Sequence, residues 1–376
     1  MRVVLFILIG IYIGKIIYEK NELKKNRNKL KKVIHINGIR GKSTVSRLID
    51  AGLRDGKHRI FTKVTGTAPK YIDVNNKEHD IKRRGKANIR EQIKTIKMAV
   101  NMGTDYLVLE CMAVNPLLQK VCEEEILNAD VSVITNVRED HLIELGDNLN
   151  KIAKSLGNMM CTNGIFVTAD KKYFKFFKKL GESKNTDVYL SGEEKNEYEK
   201  IDFPENVALA LQVCKLCGVD EKDALERMRN YKKDSGVLRE VNFINGNNVK
   251  ISFVNAMAAN DPMSTENILE LYKSKNIWEK EKYLLVNNRI DRPKRLEQFV
   301  ILAKKYEKEF EKIYISGESR NIFYKKMKGY ENKLEIIEDI KQFDEIENEA
   351  LIIAVGNICG KGKALLEKIE SSKNVV

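Results

Sequence analysis

The chain has 376 residues, of which 43% are hydrophobic and 32% are charged. This is enough for two or three domains with sizeable cores, and the balance excludes wholesale disorder, a collagen-like repeat and a multi-span transporter. Lys and Arg number 67 against 54 Asp and Glu, so the formal net charge is +13. Such an excess favours polyanions: nucleotide phosphates, nucleic acid, acidic lipid or an acidic polymer.

The N-terminal segment predicts a membrane anchor. Residues 3–18 are apolar except for Lys15, and a basic linker follows over residues 19–32. A helix of this length spans about 24 Å, slightly less than a bilayer core. Because positive flanks stay on the cytoplasmic side, the pattern predicts a single-pass protein of the cell membrane, anchored by residues 1–18, with the rest in the cytoplasm. The alternative is a helix docked on the protein's own surface or on a partner.

The rest of the chain alternates short β-branched runs with helical stretches. This alternation predicts an α/β fold with mostly parallel sheets covered on both faces. Turn residues near 232–238 suggest a boundary between a central domain, 33–235, and a smaller Rossmann-like C-terminal domain, 236–376. Cys214 and Cys217 form a CxxC in an apolar helical stretch, which favours core packing over a metal or redox site.

The strongest functional signal is NGIRGKST, residues 37–44, between a predicted strand and a predicted helix. Gly38 and Gly41 allow a tight turn whose amide groups, with the helix N-terminus, point at an anion. Lys42 would reach the β- and γ-phosphates of a nucleotide, and the Ser43 hydroxyl would bind Mg²⁺. The spacing departs from GxxxxGK[ST], since Ile36 stands where its first Gly would be.

Two later strands end in groups suited to a metal. Glu110 closes the run YLVLE, and Asp140 and His141 follow a strand predicted over residues 131–136. Because ligands bind beyond the carboxyl ends of parallel strands, we expect these side chains near the phosphate loop. An ordinary loop histidine remains the alternative for His141.

These motifs together resemble the Mur ligase superfamily, which includes the folylpolyglutamate synthases, and within it the ligase subunits of poly-γ-glutamate (capsule) synthases. The resemblance rests on residues 37–44, on ECMAVNP at 110–116, on Asn136-Val-x-x-Asp-His141, and on the VTGT and AN-I-x-EQ stretches at 64–67 and 87–92. It extends from the N-terminal segment to residues 355–358 and therefore covers nearly the whole chain.

The resemblance implies a site shared by both domains, which would close over the nucleotide. The implied ATP contacts are Asn37, Gly38, Gly41, Lys42, Ser43, Thr44, Asn206, Arg239, Asn260, Asp261, Arg289 and Asp291. The implied Mg²⁺ ligands are Ser43, Thr67, Glu110 and His141, and the implied catalytic groups are Lys42, Glu110, His141 and Arg239. Leu156 stands where many relatives carry a modified lysine, so no carbamylated lysine is predicted.

The implied reaction is ATP-dependent amide ligation. A γ-carboxylate at the end of a poly-γ-glutamate chain would become an acyl phosphate, which the amino group of glutamate attacks. The implied partners are integral membrane synthase and export subunits; an oligomer is possible and nucleic acid is not expected. A basic cluster at residues 82–90 would hold the polymer or be a solvated loop.

Two other functions remain open on the sequence. One is a soluble ligase of the folylpolyglutamate synthase type, which the N-terminal segment disfavours. The other is a membrane-tethered P-loop ATPase acting on another polyanion, which the basic charge supports. Against a nucleic-acid motor stand the single Trp and the absence of a recognisable nucleic-acid module.

Overall fold

The computed structural model describes residues 2–371, except 67–68, 84, 86, 141, 234–237, 259–261, 291 and 359, and it describes only the backbone of residues 2, 3, 5 and 143. The chain divides into two compact units, Met1–Lys233 and Asp234–Val376. Each is an α/β unit built around its own sheet, which confirms the predicted fold class.

The first unit is built on a large sheet. Among the described residues it has eight strands in the order β4-β3-β2-β5-β1-β6-β7-β8. The strands are β1 (Lys32–Asn37), β2 (Ile60–Val64), β3 (Lys70–Ile72), β4 (Glu78–Asp80), β5 (Tyr106–Glu110), β6 (Val131–Ile134), β7 (Ile165–Thr168) and β8 (Asp187–Leu190). The helices are α1 (Arg2–Arg27), α2 (Lys42–Leu53), α3 (Glu91–Asn101), α4 (Pro116–Val121), α5 (Leu142–Leu145), α6 (Leu149–Gly157), α7 (Phe174–Lys184), α8 (Pro204–Leu216) and α9 (Glu221–Met228).

Strand β1 lies in the middle of this sheet, parallel to β5 on one side and β6 on the other. Its register sets Ile36 beside Glu110, so the carboxyl ends of β1 and β5 meet at one edge. The apolar side chains of β1, including Ile34 and Val33, face two different buried clusters, one on each side of the sheet. Burial on both faces explains the continuous apolar runs of the central strands.

The second unit has a smaller sheet with the order β13-β12-β11-β14-β10-β9 among the described residues. Its strands are β9 (Arg239–Ile244), β10 (Lys250–Asn255), β11 (Glu281–Asn288), β12 (Lys312–Gly317), β13 (Leu334–Ile336) and β14 (Ala350–Gly356). Its helices are α10 (Pro262–Lys273), α11 (Pro293–Tyr306), α12 (Arg320–Lys326) and α13 (Lys361–Ser371). Within the described part of this unit, β9 is the one strand that runs antiparallel to its neighbour.

Helix α1 continues from the apolar N-terminal stretch into the basic linker. Its last residue, Arg27, donates to the carbonyl oxygen of Leu127 at 2.7 Å and pairs with Asp130 at 2.7 Å. These contacts fix the C-terminal end of α1 on the first unit. In the described part of the chain, no helix has both the length and the apolar composition needed to cross a membrane, and the predicted anchor at residues 1–18 is not confirmed.

Candidate active site

The loop between β1 and α2 has the backbone of a phosphate cradle. Gly38 and Gly41 have φ angles of 129° and 79°, in the region that favours glycine. A Cβ on Gly38 would lie 2.0 Å from Thr135 Oγ1, and one on Gly41 would lie 2.7 Å from Asn206 Oδ1. Only glycine therefore fits at either position.

The predicted phosphate-binding lysine folds back over this loop. Lys42 Nζ donates to the carbonyl oxygens of Gly38 and Ile39 at 2.8 and 3.2 Å. Burial lowers the pKa of Lys42, and the neighbouring Glu110 carboxylate opposes that shift. A cation held this way gains from a phosphate, because a phosphate supplies the negative charge that neutral carbonyl groups lack.

The two predicted metal ligands of the described chain lie together. Ser43 Oγ donates to Glu110 Oε2 at 2.8 Å, and the same oxygen accepts from the Thr65 backbone amide at 2.6 Å. Glu110 thus joins the first turn of α2 to the loop after β2. Thr44 follows Ser43 in that first turn and is partly buried. The sequence predicted that Ser43 and Glu110 lie near each other as metal ligands; it predicted neither their hydrogen bond nor the contact of Glu110 with Thr65.

A buried lysine is connected to Glu110 through a hydrogen-bond network. Lys63 is fully buried on β2, where it pairs with Glu91 at 2.6 Å and donates to Gln92 Oε1 at 2.8 Å. The Gln92 amide in turn donates to the Glu110 carbonyl oxygen at 3.3 Å. Burial lowers the pKa of Lys63, and the contact with Glu91 opposes part of that shift. Sequence analysis missed this lysine, although one charge inside the apolar strand IFTKV is a usable signal.

Residues that follow β6, on the other side of β1 from β5, make hydrogen bonds to the phosphate loop. Thr135 Oγ1 donates to the Arg40 carbonyl oxygen at 2.6 Å, and the Arg40 amide donates to Asn136 Oδ1 at 3.1 Å. The Arg40 guanidinium pairs with Asp140 at 3.3 Å. Asp140 thus lies near the loop, as predicted, with Arg40 as an ion-pair partner.

Two asparagines complete the described part of the cradle. Asn206 lies in the first turn of α8, is buried, and contacts Gly41 closely enough to exclude a Cβ there. Asn37 closes β1; among the described residues, its buried Nδ2 has no hydrogen-bond partner. Both amides were predicted nucleotide contacts, and the unpaired Asn37 donor is the kind of group that a ligand satisfies.

Among the described residues, two predicted nucleotide contacts, Arg239 and Arg289, belong to the second unit. Arg239 begins β9 and forms an ion pair with Glu370 of α13, and burial lowers its pKa. Its Nε is buried without a partner in the part of the unit that the structure describes. Arg289 follows β11 and lines a small cavity together with Arg292 and Arg295. Basic groups therefore collect at the carboxyl end of β11.

Other predicted positions have different outcomes. Thr67, His141, Asn260, Asp261 and Asp291 lie outside the described residues.

In the basic cluster, Arg83 makes two hydrogen bonds to Glu91, at 2.7 and 3.0 Å, and Arg90 pairs with Glu19 at 3.0 Å. These acidic partners neutralise part of the positive charge of the basic cluster.

The cysteines of the CxxC are buried free thiols in the core of the first unit. Burial raises the pKa of Cys214 well above its ordinary value. Core packing is thus the role that the structure supports for this pair.

This fold and cradle define a nucleotide-binding α/β protein, and comparisons with known proteins specify its class. The Mur ligase middle domain matches residues 36–224, and the poly-gamma-glutamate synthase CapB C-terminal domain matches residues 239–372. The chain is 35% identical to PGA synthase CapB of Bacillus subtilis (strain 168), over 95% of each chain. It is 32% identical to the capsule biosynthesis protein CapB of Bacillus anthracis, over 94% of this chain and 79% of the relative.

Solved structures show the same fold. MurF from Acinetobacter baumannii matches with a TM-score of 0.65 at 13% identity, over 93% of this chain and 79% of that one. The bifunctional folylpolyglutamate synthase/dihydrofolate synthase from Yersinia pestis, complexed with AMPPNP and Mn ion, also has a TM-score of 0.65, at 10% identity over 93% and 92%. The chain therefore belongs to the CapB family of the Mur ligase superfamily and is an ATP-dependent amide ligase.

Proposed function

We propose that this protein extends poly-γ-glutamate, using ATP to join the γ-carboxylate of the growing chain to the amino group of glutamate. The observation that carries the proposal is the contact of Ser43 with Glu110 beside Lys42, at the edge of a sheet in a CapB-family chain. Membership of the family supports the substrate, and the geometry of these three residues supports the phosphate loop as the place where the nucleotide phosphates would bind.

The residues present fit a nucleoside triphosphate. Gly38 and Gly41 give the loop the positive-φ turn that points backbone amides at an anion, and Thr135 and Asn206 pack against them where a Cβ would otherwise stand. Lys42 lies over that loop, and the buried Asn37 amide has an unsatisfied donor beside it. Each of these groups donates hydrogen bonds, as an anionic ligand requires.

The same residues fit a magnesium ion. A hydroxyl and a carboxylate, Ser43 Oγ and Glu110 Oε2, lie 2.8 Å apart, and hard oxygen donors are what Mg²⁺ prefers. When bound, Mg²⁺ offsets the negative charge on the β- and γ-phosphates. Thr67 and His141 are further proposed ligands.

The chemistry needs an activated carboxylate. The γ-phosphoryl group passes from the β-phosphate oxygen of ATP to a carboxylate oxygen of the polymer end, giving ADP and an acyl phosphate. The glutamate nitrogen then attacks the acyl carbon, an amide bond forms, and inorganic phosphate leaves. Lys42 holds the γ-phosphoryl oxygens and stabilises their charge during transfer, while Glu110 keeps the Ser43 hydroxyl oriented.

Arg239 is proposed as a second cation for the γ-phosphoryl group. The support is its unpartnered Nε and the burial that lowers its pKa, because both make an anionic ligand favourable. The ion pair with Glu370 has to exchange for a phosphate in this role.

We also propose that the protein works at the cytoplasmic face of the cell membrane. Helix α1 presents exposed apolar side chains, Phe6, Ile11 and Tyr12 among them, and ends with Lys24, Lys25 and Arg27. An apolar stretch followed by basic residues suits an anionic membrane surface. Integral membrane subunits would then receive the polymer for export.

Membrane association is testable by vesicle flotation. The full chain is expected to float with anionic vesicles, and a chain lacking residues 2–18 is expected to stay in solution. Equal flotation of both would contradict the proposal.

The ligase activity is tested by ADP formation from Mg-ATP with glutamate and a short γ-glutamyl acceptor. We expect formation that requires both substrates and falls by about 10²- to 10³-fold in Lys42→Ala, the scale for losing one transition-state charge contact. Lys222→Ala, an exposed lysine on α9, is the control. ADP formation indifferent to glutamate, or unchanged in Lys42→Ala, would contradict the proposed function.

A further inference from the structure

A second basic site lies at the far end of helix α2. A cavity of about 350 Å³ is lined by α2 from Arg47 onwards, by residues near β3, and by residues 227–232 at and after the end of α9. Along the helix axis, the lining residues of α2 lie between about 8 Å (Arg47) and about 18 Å (Arg54) from Lys42. None of them belongs to residues 37–44, so the cavity is distinct from the phosphate loop.

Some of the charges that line the cavity are already paired. Arg54 holds Asp50 with two hydrogen bonds, at 2.8 and 2.9 Å, so the carboxylate of the lining is neutralised. Arg47 pairs with Glu78 at 2.6 Å but keeps a buried Nε that has no partner in the described part of the chain. An unsatisfied guanidinium donor of this kind is costly unless a ligand binds it.

Two further cations have no acidic partner within the described residues. Arg227 donates only to the carbonyl oxygen of Gly52, at 3.0 and 2.8 Å, and Lys232 Nζ donates to that of Asn76 at 2.8 Å. Neutral carbonyl groups orient these side chains but leave their charges uncompensated. The cavity thus has a net positive lining formed by separate segments of the first unit.

We propose that this cavity binds the carboxylates of a γ-glutamyl chain and so holds the polymer away from the reacting end. The assignment of the ligand rests on the proposed function; the anion site itself rests on the lining. Cations spread around a cavity of this size suit an anion whose charges are spaced along a chain, whereas one phosphate group would engage few of them. This end of α2 also offers side chains rather than the helix N-terminus that favours phosphate.

The test is direct binding of a fluorescent γ-glutamyl octamer, amidated at its terminal γ-carboxyl so that it cannot act as an acceptor. Fluorescence anisotropy on the full chain gives the Kd. We expect Lys232→Gln to weaken binding about threefold, and the double variant Arg227→Gln/Lys232→Gln to weaken it about tenfold. ATP binding is expected to stay unchanged, which shows that the double variant is folded.

The control is Lys222→Gln, which removes one exposed charge on α9 outside the cavity lining. An unchanged Kd in the folded double variant would overturn the proposal, as would an equal loss in Lys222→Gln. If tripolyphosphate displaces the octamer when both are present at the same concentration of negative charge, the assignment of the ligand as a carboxylate chain is overturned. Because no turnover is measured, a failure here is separate from a failure of glutamate-dependent ADP formation.

Discussion

The two ends of α2 present their cationic and hydrogen-bond-donating groups in different ways. At the start, the contiguous residues 37–44 form a cradle of backbone amides and glycines with one lysine above it. At the far end, the cavity is assembled by side chains, and the bond from Arg47 to the Lys232 carbonyl oxygen joins positions 185 residues apart. A backbone cradle suits one phosphate group at close range, whereas spread side chains suit charges spaced along a chain.

The largest effect is expected from removing the support under the cradle. Lys63→Met takes the buried cation from Glu91 and Gln92 and should lower the free energy of unfolding by about 3 kcal/mol, since breaking a buried pair is costly. It should also weaken ATP binding while leaving octamer binding unchanged. Chemical denaturation and the two binding assays measure this.

Lys97→Met is the matched control, because Lys97 is an exposed lysine of α3 paired with Glu22 at 2.8 Å. We expect it to cost less than about 1 kcal/mol. A similar loss in both variants would show that the buried network gives no special support.

A smaller effect is expected from adding a Cβ within the phosphate loop. Gly38→Ala introduces a Cβ 2.0 Å from Thr135 Oγ1 at a positive φ and should destabilise the fold by about 2 to 3 kcal/mol. Gly56 has a φ of 78° with no atom within 4 Å of a Cβ, so Gly56→Ala should cost only about 1 kcal/mol. Thermal unfolding of the two variants separates the effects, because Gly38→Ala combines a steric clash with backbone strain and Gly56→Ala has backbone strain alone. Equal losses of stability would argue against a tightly packed phosphate loop.

The smallest expected effect, counted per pH unit, is a pH dependence of stability that arises on β1 beneath the phosphate loop. His35 is buried on β1, with Nδ1 2.7 Å from Glu123 Oε2. Burial opposes its charge, but hydrogen bonds and electrostatic attraction from Cys111 and Glu123 outweigh burial and raise its pKa to about 10. Between pH 6.5 and about 10 the folded state therefore binds more protons than the unfolded state, so stability from this group falls as pH rises.

The expected slope is a loss of up to about 1.4 kcal/mol per pH unit in that window. Denaturant unfolding of the wild type and of His35→Gln at a series of pH values isolates it. The wild type should have the steeper decline, and parallel curves would contradict the assignment to His35.

The sequence predicted the near end of α2 because the groups involved follow local rules. A glycine-rich run after a strand forms a turn, and a carboxylate at the end of the neighbouring strand meets it, which is how Lys42, Ser43 and Glu110 came together. Strand β5 was predicted with its observed bounds, Tyr106–Glu110, since its apolar run is buried on both faces.

The missed parts depend on tertiary contacts. Strand β2 was not predicted, and neither was the contact of Lys63 with Gln92. A lysine in a short apolar run indicates an exposed segment unless its buried partners are known, and those partners are distant in sequence. Strand β9 was missed for a similar reason, since it has a partly exposed face and joins its sheet antiparallel. The far cavity escaped prediction because no local pattern links α2 to residues 227–232.

The most direct test of the ligase mechanism is to count ADP and new amide bonds in one reaction, by chromatography of the nucleotides and mass spectrometry of the chains. The account predicts one ADP and one inorganic phosphate for each γ-linked glutamate added. AMP and pyrophosphate as products, or ADP formed without chain growth in the presence of glutamate and acceptor, would contradict it.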